Sequence, residues 1–104
     1  MFASYESSFL YEGVSPQDLI DKCKKNYGSS ILKMDEGKGE IRLKRGISWL
    51  SWGERINIKI EQDAGNSTLV HIKSKCLFQL LDFGVNRKNV LAIAKLFGRG
   101  IVIT

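Results

Sequence analysis

Residue types that could carry out catalysis are few in this sequence and lie too far apart along the chain to form a known motif. There is one histidine, His71, and the two cysteines, Cys23 and Cys76, are widely separated. Neither a metal-ligand spacing nor a redox pair results. The segment Gly37–Gly39 reads as a hairpin loop and not as a phosphate-binding turn between a strand and a helix. We therefore expect no enzyme, no metal site and no cofactor.

His71 is the residue from which acid–base chemistry would have to start. It lies on the polar side of a predicted strand together with Lys73 and Lys75. A strand face shared with two cations is a poor setting for a catalytic base. We interpret His71 as part of a basic surface.

Contact with phosphates is the other chemistry that the composition allows. Lysine and arginine number 16 against 11 aspartate and glutamate, a net charge of +5. Along the predicted strands one face collects the polar positions: Lys33, Arg42, Lys44, Asn57, Lys59, His71, Lys73 and Lys75. Such a face could bind nucleic acid in a salt-sensitive manner. The alternative is an ordinary solvated face whose lysines deter aggregation, and its central strands carry no outward aromatic platform for a base.

A tryptophan-rich segment separates two predicted strands and contains Trp49, Leu50 and Trp52. Three interpretations are open: anchoring in the core, a patch for a partner protein, or stacking on a ligand ring. A pair of tryptophans beside a leucine makes a large apolar surface if it is exposed.

A strand-to-helix corner precedes the second predicted helix, with a flexible glycine at Gly84. Asn86 is the expected N-cap and Asn89 the third helical residue. Arg87 opposes the helix dipole in the first turn, so we expect an anion to compensate it. The internal candidates are Asp82 and Glu54, and a bound phosphate or carboxylate is the external one.

The elements that position these residues follow from hydrophobic periodicity and capping signals. Ser15, Pro16 and Asp18 start a helix that is predicted over residues 16–27, with Gly28 as a left-handed stop. A second amphipathic helix is predicted over residues 87–97. Strands are predicted over residues 7–12, 31–34, 40–44, 55–61 and 68–76, and the apolar tail has strand character over 100–104.

The order β-α-β-β-β-β-α favours a single α+β domain over residues 1–104. Four consecutive strands with short loops favour an antiparallel meander. We expect a curved antiparallel sheet of about five strands with both helices on one face, a layout that resembles a trimmed helix-grip fold. The beginning of the chain carries no basic cluster with a long apolar run, and no segment is long enough to span a bilayer. We expect a cytoplasmic protein with two reduced thiols.

Two motifs carry a resemblance to a known family. Their residues in this sequence are Trp52, Gly53, Glu54, Ser74, Asp82, Phe83, Gly84, Asn86, Arg87 and Asn89. Over residues 48–97 the chain resembles a family of small bacterial domains of unknown function. These domains have a Trp-Gly-Glu strand entry and an Asp-aromatic-Gly-x-Asn-basic-basic-Asn corner before the C-terminal helix. Phe83 stands where many such sequences have tryptophan. The resemblance implies the fold layout and no particular activity.

The function expected from the sequence is non-catalytic binding in a bacterial cytoplasm. The partner would be another protein, or a small apolar ligand held between sheet and helices. The alternative is a nucleic-acid-binding module that uses the basic open face. The binding domain could itself be a homodimer. A third hypothesis is an assembly role in which the tail Ile101–Ile103 pairs with a sheet edge of its own or of another chain.

Overall fold

A computed structural model describes residues 4–45, 54–76 and 85–103 of this chain. The elements, in chain order, are β1 (Ser4–Glu12), α1 (Pro16–Tyr27), a single 3₁₀ turn (Gly28–Ser30), β2 (Ile31–Asp35), β3 (Glu40–Arg45), β4 (Glu54–Gln62), β5 (Ser67–Cys76), α2 (Val85–Phe97) and β6 (Ile101–Val102). The predicted α+β class is confirmed, and the sheet gains a sixth strand from the apolar tail.

The strands form one antiparallel sheet in the order β2-β3-β4-β5-β1-β6. Strands β2 to β5 are the predicted meander, with each strand paired to the next. Strand β1 pairs with β5 on one side and with β6 on the other. The chain therefore crosses the sheet between β1 and β2, and α1 lies in this crossing connection.

Helix α1 begins and ends at the predicted residues, and its start is a capping box. The Asp18 amide donates to the Ser15 hydroxyl at 3.2 Å, and the Ser15 amide donates to the Asp18 carboxylate at 3.3 Å. Pro16 occupies the first helical position, where its missing N–H costs nothing. The predicted left-handed stop at Gly28 is wrong: its φ is −47°, because the chain continues right-handed into the 3₁₀ turn.

Alternation along the strands divides the sheet into a covered face and an open face. Strand side chains buried under the helices are Phe9, Tyr11, Ile41, Leu43, Ile56, Ile58, Ile60, Val70 and Ile72. The helices cover them with Leu19, Ile20, Cys23, Val90, Ile93, Ala94 and Phe97. Both helices thus pack on one face, as the sequence predicts, and the residues between the buried positions point to the other face.

Tyr11 joins the sheet to α2 at the centre of this core. Its ring meets Phe97 edge-on, with centroids 5.9 Å apart. Its hydroxyl donates to the Ala94 carbonyl at 2.8 Å. Burial raises the pKa of Tyr11 to about 12.

Replacing Tyr11 with phenylalanine is expected to change how stability responds to alkaline pH. In the unfolded chain a tyrosine releases its proton near pH 10, about two units before the buried phenol does. The native state therefore holds the proton longer, and the free energy of unfolding falls as the pH rises from about 10 to about 12. Y11F removes this component, and at neutral pH it costs about 1 kcal/mol for the lost hydrogen bond.

Urea unfolding of wild type and Y11F between pH 8 and 12 measures this difference. At neutral pH wild type should have the larger free energy of unfolding, and its lead over Y11F should shrink as the pH rises. The order reverses if the hydrogen bond contributes less free energy than wild type loses through the titration of Tyr11. Burial also raises the pKa of Cys23 to about 12. Wild type and Y11F therefore both lose some free energy of unfolding at alkaline pH because of this thiol. Parallel curves for the two proteins would show that Tyr11 does not titrate differently in the folded state.

Candidate functional site

Three cations stand side by side across the open face in a row that spans β3, β4 and β5. Lys44 is the cross-strand partner of Arg55, and Arg55 is the partner of Lys75. Like charges directly opposite one another destabilise a sheet. Arg55 donates to the Glu54 carbonyl at 3.4 Å, and neither Arg55 nor Lys44 forms a salt bridge with a described carboxylate.

The next row along the sheet is also basic. The register aligns Lys33, Arg42, Asn57 and Lys73 across β2 to β5. The Arg42 Nε atom donates to the Asn57 side-chain oxygen at 3.0 Å, which fixes the guanidinium against the sheet. Together with Lys44, Arg55 and Lys75 these residues form what we call the basic rows: Lys33, Arg42, Lys44, Arg55, Lys73 and Lys75.

A third row contains the predicted residues Lys59 and His71, and here acids accompany the bases. Lys59 contacts Glu40 at 3.3 Å between its Nζ and the carboxylate. His71 contacts the Ser8 hydroxyl through Nδ1 at 2.7 Å and the Glu6 carboxylate through Nε2 at 3.0 Å. Glu6 is itself the cross-strand partner of Lys73, so of these three rows only that of Lys44, Arg55 and Lys75 has no described carboxylate in register.

The Ser8–His71–Glu6 cluster is the set of groups with which hydrolases activate a serine. Such catalysis also needs N–H donors aimed at the developing oxyanion, whereas Ser8 and His71 lie within paired strands whose N–H groups bond across the sheet. The side chains of His71 and Glu6 are 43% and 55% exposed, so water surrounds them. We interpret the cluster as a hydrogen-bonded brace that orients His71.

A shallow depression of about 270 Å³ lies on the open face beside these rows. Its lining combines two apolar residues, Ile41 and Ile58, with the polar residues Lys33, Asp35, Glu40, Arg42, Asn57, Lys59 and His71. The lining offers donors from lysine, arginine and amide groups and acceptors from two carboxylates. It can therefore hold a small planar polar group as well as an anion.

The predicted strand-to-helix corner is buried where β5 meets α2. The Ser74 hydroxyl donates to the Asn86 side-chain oxygen at 2.9 Å and accepts from the Asn89 amide at 3.2 Å. Asn86 does not cap the helix as predicted, because α2 begins at Val85 and its side chain is bonded to Ser74 on the sheet. The two asparagines therefore fasten α2 to β5, and they are structural.

The other members of the predicted corner differ in exposure or lie outside the described residues. Glu54 is buried at the start of β4, whereas Arg87 is exposed on α2. Asp82 and Gly84 lie outside the described residues, so the proposed network of Asp82, Glu54 and Arg87 stays a prediction. The tryptophan segment with Trp49, Leu50 and Trp52 lies outside them as well.

The apolar tail pairs with its own chain. Ile101 is the partner of Leu10, Val102 is the partner of Phe9, and the Ile103 amide donates to the Ser8 carbonyl at 2.8 Å. The side chains of Ile101, Val102 and Ile103 nevertheless remain 54%, 65% and 51% exposed. Self-association through this edge stays a prediction.

Reasoning from the sequence left out three residues of this surface. Arg55, Asn57 and Lys59 follow one another at every second position of β4, so their side chains lie on the same face. The alternation that assigns Asn57 and Lys59 to the open face therefore assigns Arg55 to it as well. Glu6 and Ser8 come to His71 only because β1 is inserted beside β5. Their sequence distance of more than 60 residues gives no local signal for this contact.

Neither a family model nor a curated protein matches this chain. The resemblance to the family of small bacterial domains accordingly stays a prediction. Within the described ranges, no three His, Cys, Asp or Glu side chains group so that they could hold a metal ion. Among the helices that the structure describes, none is long and apolar enough to cross a membrane.

Proposed function

We propose that this chain is a non-catalytic binding domain whose open sheet face binds nucleic acid. The observation that supports this most is the row Lys44, Arg55 and Lys75, three cations paired directly across neighbouring strands. The like-charged pair of Lys44 and Arg55 costs a few tenths of a kcal/mol in the free protein. Phosphates bound above the row would be attracted by its cations and would relieve the repulsion between them. The counterions that the nucleic acid releases on binding add to the affinity.

The shape of the open face supports a polymer over a compact anion. The basic rows extend over β2, β3, β4 and β5, which at about 4.8 Å between neighbouring strands is roughly 14 Å across. One phosphate cannot contact residues spread over that width, whereas a chain of phosphates can. Nucleic acid, which carries one charge per nucleotide along its backbone, matches such a surface.

The hypothesis of a small apolar ligand receives less support. Between sheet and helices, where such a ligand would be held, the buried side chains of the described residues form one packed cluster. The gap beside Ile56 and Ile93 measures about 10 Å³, whereas ligand pockets usually start at about 300 Å³. Binding of a partner protein remains the other candidate, and an acidic partner would use the same basic rows.

We further propose a cytoplasmic location, with no cofactor and no catalysis. A buried free thiol at Cys23 suits a reducing compartment. Nucleic acids and their binding proteins meet there without crossing a membrane. The bacterial origin implied by the resemblance belongs to the same proposal.

Charge reversal in the basic rows tests the proposed function. The variant K44E/R55E should bind a fluorescein-labelled 20-nucleotide strand at least tenfold more weakly than wild type at 50 mM salt, as measured by fluorescence anisotropy. The control K22E/K25E makes the same change in net charge on exposed residues of α1, on the other side of the sheet. It should bind within about twofold of wild type.

Thermal unfolding of both double variants establishes that they are folded before affinities are compared. Equal weakening by the two variants would mean that only net charge matters, and the open face would not be the site. Absence of wild-type binding to any strand or duplex at 50 mM salt would overturn the proposal outright.

A further inference from the structure

We propose that the open face selects single-stranded nucleic acid, with one unstacked base lodged in the depression against the Arg42 guanidinium. This inference rests on the proposed function and narrows its ligand. It starts from the absence of outward aromatic side chains in the described parts of β3, β4 and β5, which removes the usual platforms for bases. The depression supplies a different planar surface.

Arg42 can serve as that platform because its plane is held in place. Its Nε atom is bonded to Asn57 on the adjacent strand, so the guanidinium is oriented before any ligand arrives. Arginine planes stack on nucleobases much as aromatic rings do. A lysine at this position would keep the charge and lose the plane.

The imidazole of His71 offers a second flat surface in the same depression. Its ring is held from both nitrogens, by Ser8 and by Glu6. A ring fixed in this way loses little freedom when a base packs against it. Arg42 and His71 therefore present two oriented planar groups to the same small space.

The polar lining suits the edge of a base. Asn57 and Lys59 can donate hydrogen bonds, and the carboxylates of Asp35 and Glu40 can accept them. Base edges carry both donors and acceptors, whereas a phosphate carries acceptors alone. The depression combines three cations with two carboxylates, whereas the row Lys44, Arg55 and Lys75 has no carboxylate in register. The phosphates of the strand therefore belong over that row, and the base belongs here.

The size of the depression favours one base over a longer stack. Its volume of about 270 Å³ lies just below the range of about 300–1,000 Å³ that is usual for the sites of drug-sized ligands. A duplex keeps its bases stacked and cannot deliver one into a depression without paying to flip it out. A single strand can do so at little cost, and this difference is the source of the selectivity.

Three ligands of equal length separate base contacts from phosphate contacts: a single strand, a hairpin duplex of the same composition, and a single strand of abasic phosphodiester units. The wild-type protein should bind the single strand at least fivefold more tightly than the other two at 100 mM salt. Equal affinity for the strand and the abasic polymer would overturn the inference and leave the proposed function intact. Failure of all three to bind would overturn the proposed function as well.

A charge-conserving pair of variants locates the base. R42K should lose most of the preference for the single strand over the abasic polymer, whereas R55K, the same exchange outside the depression, should keep it. A single 2-aminopurine in the strand supplies an independent signal, because its fluorescence changes when the base stacks on the protein. An unchanged preference in R42K, or equal effects of the two exchanges, would contradict the assignment of the depression.

Discussion

Gly39→Ala is expected to lower the free energy of unfolding by about 3 kcal/mol or more. A Cβ atom built on Gly39 would lie 1.9 Å from the Ile60 carbonyl oxygen, which is backbone and cannot rotate away. Gly39 also accepts a hydrogen bond from the Ile60 amide at 2.8 Å. The substitution must therefore push the β2–β3 hairpin off β4.

Gly65 provides a matched control for this prediction. Both glycines have a φ of +68°, so an alanine at either site pays the same conformational penalty, about 1–2 kcal/mol. Nothing lies within 4 Å of a Cβ on Gly65, however, so G65A isolates backbone strain from the clash. Urea unfolding of the two variants should show G39A clearly less stable than G65A. Equal losses would mean that the hairpin adapts without cost.

The same glycine shows what local sequence can and cannot predict. The segment Gly37–Gly39 is predicted as a hairpin loop because its two glycines stand between two predicted strands, and the structure confirms the hairpin of β2 and β3. The close approach to Ile60 depends on a third strand, 21 residues further along the chain. Turn chemistry is local, whereas the packing of a loop against another strand is not.

The basic rows were predictable for a related reason. Alternation assigns Arg42, Lys44, Lys73 and Lys75 to one face whatever the neighbours are, since successive side chains point to opposite sides. Which cations stand opposite each other depends on register, and the loops that set the register carry no precise signal for it. The position of β1 between β5 and β6, which brings Glu6 to His71, likewise follows only from the folded topology.

The corner before α2 shows how a correct motif can receive a wrong role. Asn86 has the residue type of an N-cap, and local propensity favours that reading. In the fold the buried Ser74 hydroxyl donates a hydrogen bond to the Asn86 side chain. A buried hydroxyl needs such a partner, and Asn86 supplies it from within the helix instead of capping the helix. Tertiary contacts from β5 therefore decide the role of the side chain.

Binding of single-stranded nucleic acid should weaken about a hundredfold when the salt concentration rises from 50 to 200 mM. The basic rows contain enough cations to contact about five phosphates at once, and each contact contributes roughly 0.7 to the slope of log affinity against log salt. A fourfold rise in salt then lowers the affinity by about two orders of magnitude. Anisotropy titrations at five salt concentrations measure the slope directly.

Neutralising two members of the basic rows should flatten that slope in proportion. The variant R55Q/K73Q is expected to reduce the slope by about 1.4, whereas K22Q/K25Q on α1 should leave it unchanged. The slope counts phosphates that touch the protein, so it separates direct contact from a general effect of net charge, which both variants alter equally. A slope that is the same in wild type and R55Q/K73Q would mean that phosphates do not contact these side chains, and the open face would lose its role as the binding surface.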